Sequence, residues 1–153
     1  MPIALRQPGA DGLGEALAAL RQRQHDQAPM QLHPKDLGWY WRHGAGATAE
    51  AVRLWRRDGR VVAVGLLDGP GLLRLTVAPD ARHDEELAGH VVADASSPER
   101  GVLGAGPAYV EAPAGTAVAD RLEREGWQRR PGVHPAALPP WRTRYRTRAC
   151  PSR

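Results

Sequence analysis

The stretch LWRRDGRVVAVGLLDGPGLLRLTVAPDARHDEEL, Leu54 to Leu87, decides the fold. AVRLWRR, 51–57, reads as a strand. Asp58-Gly59 follows, a two-residue hairpin signal, because both central positions of a type I′ turn require positive φ. RVVAVGLL, 60–67, is apolar on both faces, as a central strand must be. DGPG makes the next turn, and LLRLTV, 72–77, puts Leu73, Leu75 and Val77 on one face. The expectation is an antiparallel meander of three strands. Beyond Pro79-Asp80 the period changes, and a helix is expected over Asp84 to Asp94 with Leu87 and Val91 inward.

Upstream, DGLGEALAALRQRQ carries Leu13, Ala16, Leu17 and Leu20 at helical spacing, with Asp11 available as a cap. Asp36 is placed to cap a short helix from Leu37 to His43, ended by Gly44. Downstream, Ser97-Pro98 can start one more helical turn. AYVEA reads as a short strand, and GTAVADRLEREGW as a helix with Ala117, Val118 and Leu122 inward, closed by Gly126. A helical crossover between the third and fourth strands makes those two parallel. The fold class is therefore α/β (α+β in some schemes): a mixed, mostly antiparallel sheet flanked by helices.

The chain has 153 residues, enough for one domain with its own core. Its longest apolar run, VVAVGLL, is too short to span a membrane, no secretory leader is visible, and the single Cys150 excludes an internal disulfide framework. These points favour the cytoplasm. The net charge is +4, but it is unevenly spread. After Glu125 there are seven arginines and no acid, which leaves 14 basic against 17 acidic residues before that point. The basic character belongs to the last segment, so a whole-protein argument for nucleic-acid binding fails.

The order of elements, with LTVAPDAR followed by LEREGW, resembles the GNAT N-acetyltransferases over roughly residues 3 to 127. LHPKDLGWYWRHG and the meander look most like actinobacterial members, some of which carry two such units in one longer chain. On this resemblance residues 1–127 are a GNAT-like acyltransferase domain, possible N-terminal half of a tandem protein, and 128–153 an irregular, basic Arg/Pro-rich tail. The implied activity is transfer of acetyl from acetyl-CoA to an amine. The implied cofactor-binding residues are Leu75, Thr76 and Val77, whose backbone would pair with the pantetheine arm, and Arg82, the first residue of the diphosphate turn. Helix N-termini suit such anions because their N–H groups are unpaired.

Two positions depart from the family pattern. Glu85 and Leu87 stand where the turn carries small residues, with Asp84 and Glu86 adding negative charge. Each like-charge contact with a diphosphate costs roughly 1 kcal/mol in water and several at a lower effective dielectric. These acids also suit the helix start itself. Leu122 occupies the position of the tyrosine that protonates the thiolate leaving group. The departures define the rival reading, a degenerate, non-catalytic domain that acts as a structural or interaction module.

Other candidates carry two readings each. Trp39, Tyr40 and Trp41 either line a substrate cleft, with Trp39 and Trp41 as substrate-binding residues, or pack against the sheet. Glu111 is either a general base or a strand glutamate facing solvent. His33, His43, His83 and His90 show no metal-ligand spacing, so no metal is expected. WRTRYRTR alternates aromatic or Thr with Arg, as a base-stacking segment or an edge strand would. Nucleic-acid binding through the tail is the weakest of the function classes. The family completes its sheet with two further strands, and none is readable after Trp127, which suggests a frameshift or truncation there. A final strand left exposed would favour a homodimer, and a second GNAT domain is the other partner considered.

Overall fold

Asp58 and Gly59 both have positive φ (52° and 76°), so the hairpin at the centre of the chain turns as its sequence requires. A computed structural model describes residues 2–23, 32, 34–69, 71–130 and 142–146. The hairpin joins β2 (Val52–Arg57) to β3 (Arg60–Leu67), and β4 (Leu72–Val77) continues the meander. Gly65 on β3 is needed for close packing. A Cβ there would lie 2.8 Å from Leu73 Cδ1 and 3.1 Å from the Trp55 ring.

After β4 the chain forms α4 (Glu85–Ser96), crosses to β5 (Tyr109–Pro113), and returns through α5 (Ala117–Arg124). β4 and β5 are parallel, as the helical crossover demands. The seven-stranded sheet has the order β1-β2-β3-β4-β5-β7-β6, where β1 is Ala4–Arg6, β6 is Gln128–Arg130 and β7 is Arg142–Arg146. All neighbours except β4 and β5 run antiparallel.

Two apolar clusters divide the two faces. One joins Leu73, Leu75, Val77 and Val110 to Leu87, Val91 and Val92 of α4 and Val118 and Leu122 of α5. The other joins Val52, Leu54, Val64 and Leu66 to Leu13, Ala16 and Leu20 of α1 (Leu13–Gln22), Leu37 of α2 (Pro34–Tyr40) and Ala49 of α3 (Ala45–Ala51). Both faces of the central strands are therefore covered, which is why RVVAVGLL carries no polar alternation.

Several expectations need correction. The last two strands are present: β7 pairs with β5, and β6 pairs with β7. They escaped the sequence reading because neither has an apolar run. β6 is three polar residues, and Tyr145 is the buried aromatic of β7. Asp11 does not cap α1: Gly12 is its N-cap, with no side-chain bond. Asp36 lies inside α2, which starts at Pro34 and passes through a tight turn at Trp41–His43 to Gly44 (φ 92°). β1 and α3 were not expected, since three residues and an alanine-rich seven carry little periodic signal. Gln24, His33, Pro70, residues 131–141 and the stretch from 147 to Cys150 lie outside the described residues. No helix among the described residues is long and apolar enough to cross a membrane.

Candidate functional site

Strands β4 and β5 part company where the cofactor residues were expected. Their pairing runs through Leu72–Tyr109, Leu73–Val110 and Arg74–Glu111 and then stops, although β4 continues to Val77 and β5 to Pro113. β4 stays with β3 instead, through Thr76–Val64 and Val77–Ala63. Past the fork the Leu75 carbonyl accepts from the Leu32 amide at 3.3 Å. Leu75 and Val77 pack into the α4–α5 core. Thr76 is fully buried, and its hydroxyl oxygen has no partner among the described residues. Buried polar atoms are normally satisfied, so an orphan at this position is informative.

The turn after β4 holds a second orphan. Arg82 Nε is buried without a hydrogen bond among the described residues, while the Arg82 carbonyl accepts from the Ala117 amide at 2.7 Å. The guanidinium lies over Gly115 (φ 74°), where a Cβ would sit 3.3 Å from Nη2. Arg82 thus stitches the start of α4 to the start of α5.

The acids of the turn are all engaged. Asp84 is the N-cap of α4 and accepts from the Leu87 amide at 3.0 Å. It is also paired with Arg57 of β2, whose other amino group reaches Glu86 at 2.9 Å. Glu85 is bound by Arg124 of α5 at 2.6 Å. The Arg57 hydrogen bond, together with the Leu87 amide, holds the Asp84 carboxyl below its ordinary range. With Arg57, Arg82 and Arg124 around it, the turn sets three guanidiniums against three carboxylates. Arg57 and Arg124, which balance these acids beside Arg82, are not singled out by the sequence. Their partners lie 27 and 39 positions away, and an arginine-rich composition hides such pairs.

The remaining candidates separate. Leu122 is fully buried in the core and offers no proton. Alongside it the sheet brings Tyr145, also missed. Its hydroxyl donates to Glu123 Oε1 at 3.2 Å, and burial, then Glu123, push the phenol up to about 12. Glu111 does not face solvent: it is 5% exposed and accepts from Arg74 Nε at 3.1 Å. Arg74 also reaches Asp36 of α2 at 3.2 Å, so it binds the last pair of the fork to the helix above it. Trp39 and Trp41 do not pack against the sheet; they are 68% and 49% exposed. The Arg42 guanidinium stacks 4.1 Å over the Trp39 ring, whereas Trp41 lines a cavity between α1 and α2. Leu75, Thr76, Val77, Arg82 and Glu111 therefore belong to the fork and its turn, and the two tryptophans to the outer helices. Among the described residues no group of three or more His, Cys, Asp or Glu could hold a metal ion.

Solved structures share this fold. A diaminobutyrate acetyltransferase from Paenibacillus lautus, in complex with L-2,4-diaminobutyric acid and coenzyme A, superposes with a TM-score of 0.55 at 12% identity, covering 94% of this chain and 93% of that one. The fold is that of the GNAT N-acetyltransferases. A putative acetyltransferase from Salmonella typhimurium with acetyl-CoA gives 0.55 at 12% identity, over 95% and 92% of the two chains. A GCN5-related N-acetyltransferase from Rhodopseudomonas palustris gives 0.52 at 18% identity, over 96% of each. No family model and no curated protein matches the sequence.

Proposed function

We propose that this chain is an N-acetyltransferase that binds acetyl-CoA in the fork between β4 and β5 and acetylates an amine. The observation that carries the reading is the coincidence of the fork with two orphaned polar atoms, Thr76 Oγ1 and Arg82 Nε, on the residues such a cofactor would touch. The similar folds solved with coenzyme A or acetyl-CoA support it. When bound, acetyl-CoA supplies the thioester whose carbonyl carbon the amine attacks. The backbone of Leu75 to Val77 would align the arm, and Arg82 would offer its guanidinium to the diphosphate. Glu111 is the carboxylate at the fork, hydrogen-bonded by Arg74, and would accept the proton of the acceptor amine.

A second reading has its own support. Leu122 stands at the general-acid position, the Asp84 carboxylate already takes the Leu87 amide that a phosphate would use, and Leu32 already takes the Leu75 carbonyl. These favour a degenerate, non-catalytic domain, such as one half of a tandem protein of actinobacterial type.

Calorimetric titration with acetyl-CoA separates the readings. Binding is expected, weakened about tenfold in both Thr76→Val and Arg82→Ala, the scale of losing one hydrogen bond to a charged or buried partner. No heat and no thermal shift at millimolar ligand would remove the enzyme. Binding without turnover on any amine would leave the non-catalytic module.

A further inference from the structure

Pro113 is the last residue of β5, a strand with a neighbour on each side, β4 and β7. Proline has no N–H to give a ladder, so within a sheet it is found at edges and irregularities, where its nitrogen serves no partner. The register identifies the side on which that nitrogen lies. The Tyr109 amide donates to the Gly71 carbonyl at 2.7 Å, towards β4. Backbone groups of successive strand residues alternate sides. Glu111 and Pro113 therefore turn the same edge to β4, while Val110 and Ala112 turn theirs to β7.

A parallel ladder advances two residues at each step. After Gly71 and Tyr109, the register of Arg74 with Glu111 matches the Leu73 carbonyl to the Glu111 amide. The next step matches the Leu75 carbonyl to an amide at position 113, and proline has none. The Pro113 carbonyl, which would carry the ladder on to Val77, accepts from the Thr116 hydroxyl at 2.8 Å. Pairing of β4 with β5 ends at Arg74–Glu111, one step before Pro113. The Leu75 carbonyl is thus left without a donor from β5. It takes an amide from outside the sheet, that of Leu32 at 3.3 Å.

We propose that Pro113 is a positioning residue that holds the fork open and so keeps the Leu75 carbonyl as the acceptor for an amide of the ligand. An N–H at this position would let β5 zip against β4 and close the space between them. The pantetheine arm of acetyl-CoA carries amides that suit the vacated carbonyl. That second half rests on the reading of the fork as an acetyl-CoA site, whereas the opening of the fork by Pro113 does not.

The test is Pro113→Ala in the intact chain, read by amide hydrogen exchange in NMR and by calorimetric titration with acetyl-CoA. The new amide at position 113 should exchange about tenfold more slowly than an unbonded one, the scale of one backbone hydrogen bond. Acetyl-CoA should bind about tenfold more weakly than to the wild type. A proline that merely stiffened the strand would give neither result, since its loss would leave the new amide unprotected. An amide at position 113 that exchanges at the unbonded rate overturns the proposal. A protected amide with wild-type affinity for acetyl-CoA overturns the role of the Leu75 carbonyl. A wild type that binds no acetyl-CoA overturns the reading of the fork as its site, and the exchange measurement then judges Pro113 alone. Should Pro113→Ala not fold, Pro113→Val restores the same N–H with a residue that suits a strand, and is read in the same way.

Discussion

Two turns perform the same task side by side. Each leads from one of the paired parallel strands, β4 or β5, into a helix on the same face of the sheet. The β5 turn is short and carries no charge. Gly115 takes φ 74°, and Thr116 caps α5 by accepting from the Ala119 amide while donating to the Pro113 carbonyl. The β4 turn is longer and acidic. Asp84 caps α4, and arginines from β2 and α5 balance it and its neighbours. A helix start can thus be secured by a buried neutral hydroxyl or by a charged cap that needs distant partners. Only the second recruits guanidiniums from other elements to balance its acids.

Variants can break or sharpen that contrast. The largest stability effect should come from Thr116→Ala, which removes the cap and strands the Pro113 carbonyl in a site only 1% exposed. A loss of about 2 kcal/mol in chemical denaturation is expected. It should be independent of salt and pH, and a loss near zero would contradict a buried neutral cap.

Asp84→Ala should cost about 1 kcal/mol at neutral pH, with Asp84→Asn losing less because amide caps still work. This effect must depend on pH. The folded carboxyl is held below its ordinary 3.8, so its contribution is complete above that value and disappears as pH falls through the lowered one. Stability curves of wild type and Asp84→Ala should therefore converge in acid. Curves that stay parallel would separate the cap from the charge.

Arg57→Ala should cost less than about 1 kcal/mol, because the pair is partly solvated, and salt should shrink the difference. It should nevertheless weaken acetyl-CoA several-fold by leaving Asp84 and Glu86 unbalanced. Unchanged affinity would mean that the charge of this turn does not govern the cofactor. The smallest effect belongs to Arg124→Ala. Both partners in the Arg124–Glu85 pair are more than half exposed (56% and 60%), so a change within about 0.5 kcal/mol is expected.

The meander, the crossover and the two helices that follow were legible, because each rests on local signals. Asp-Gly marks the hairpin, period 2 gives way to period 3.6 after Val77, and Gly126 follows the last helix. β6 and β7 were not, since these arginine-rich strands become strands only through long-range pairing, β7 with β5 and β6 with β7. The same limit applied to the site. Thr76 and Arg82 could be named from their order along the chain, but that Thr76 Oγ1 and Arg82 Nε lack partners among the described residues is a fact of three-dimensional packing. Trp39 and Trp41 looked equivalent two positions apart, yet one stacks beneath Arg42 and the other faces a cavity.

By itself the sequence determined where the backbone turns, which faces are apolar and that β4 and β5 run parallel. Those properties depend on residues close together in the chain. The tertiary structure decided which charge meets which. Arg57 reaches Asp84, Arg74 reaches Glu111, Arg124 reaches Glu85, and Tyr145 reaches Glu123, across 22 to 39 positions. Electrostatic partners are set by distance in space, and in a chain with twenty arginines no local pattern singles out the few that matter.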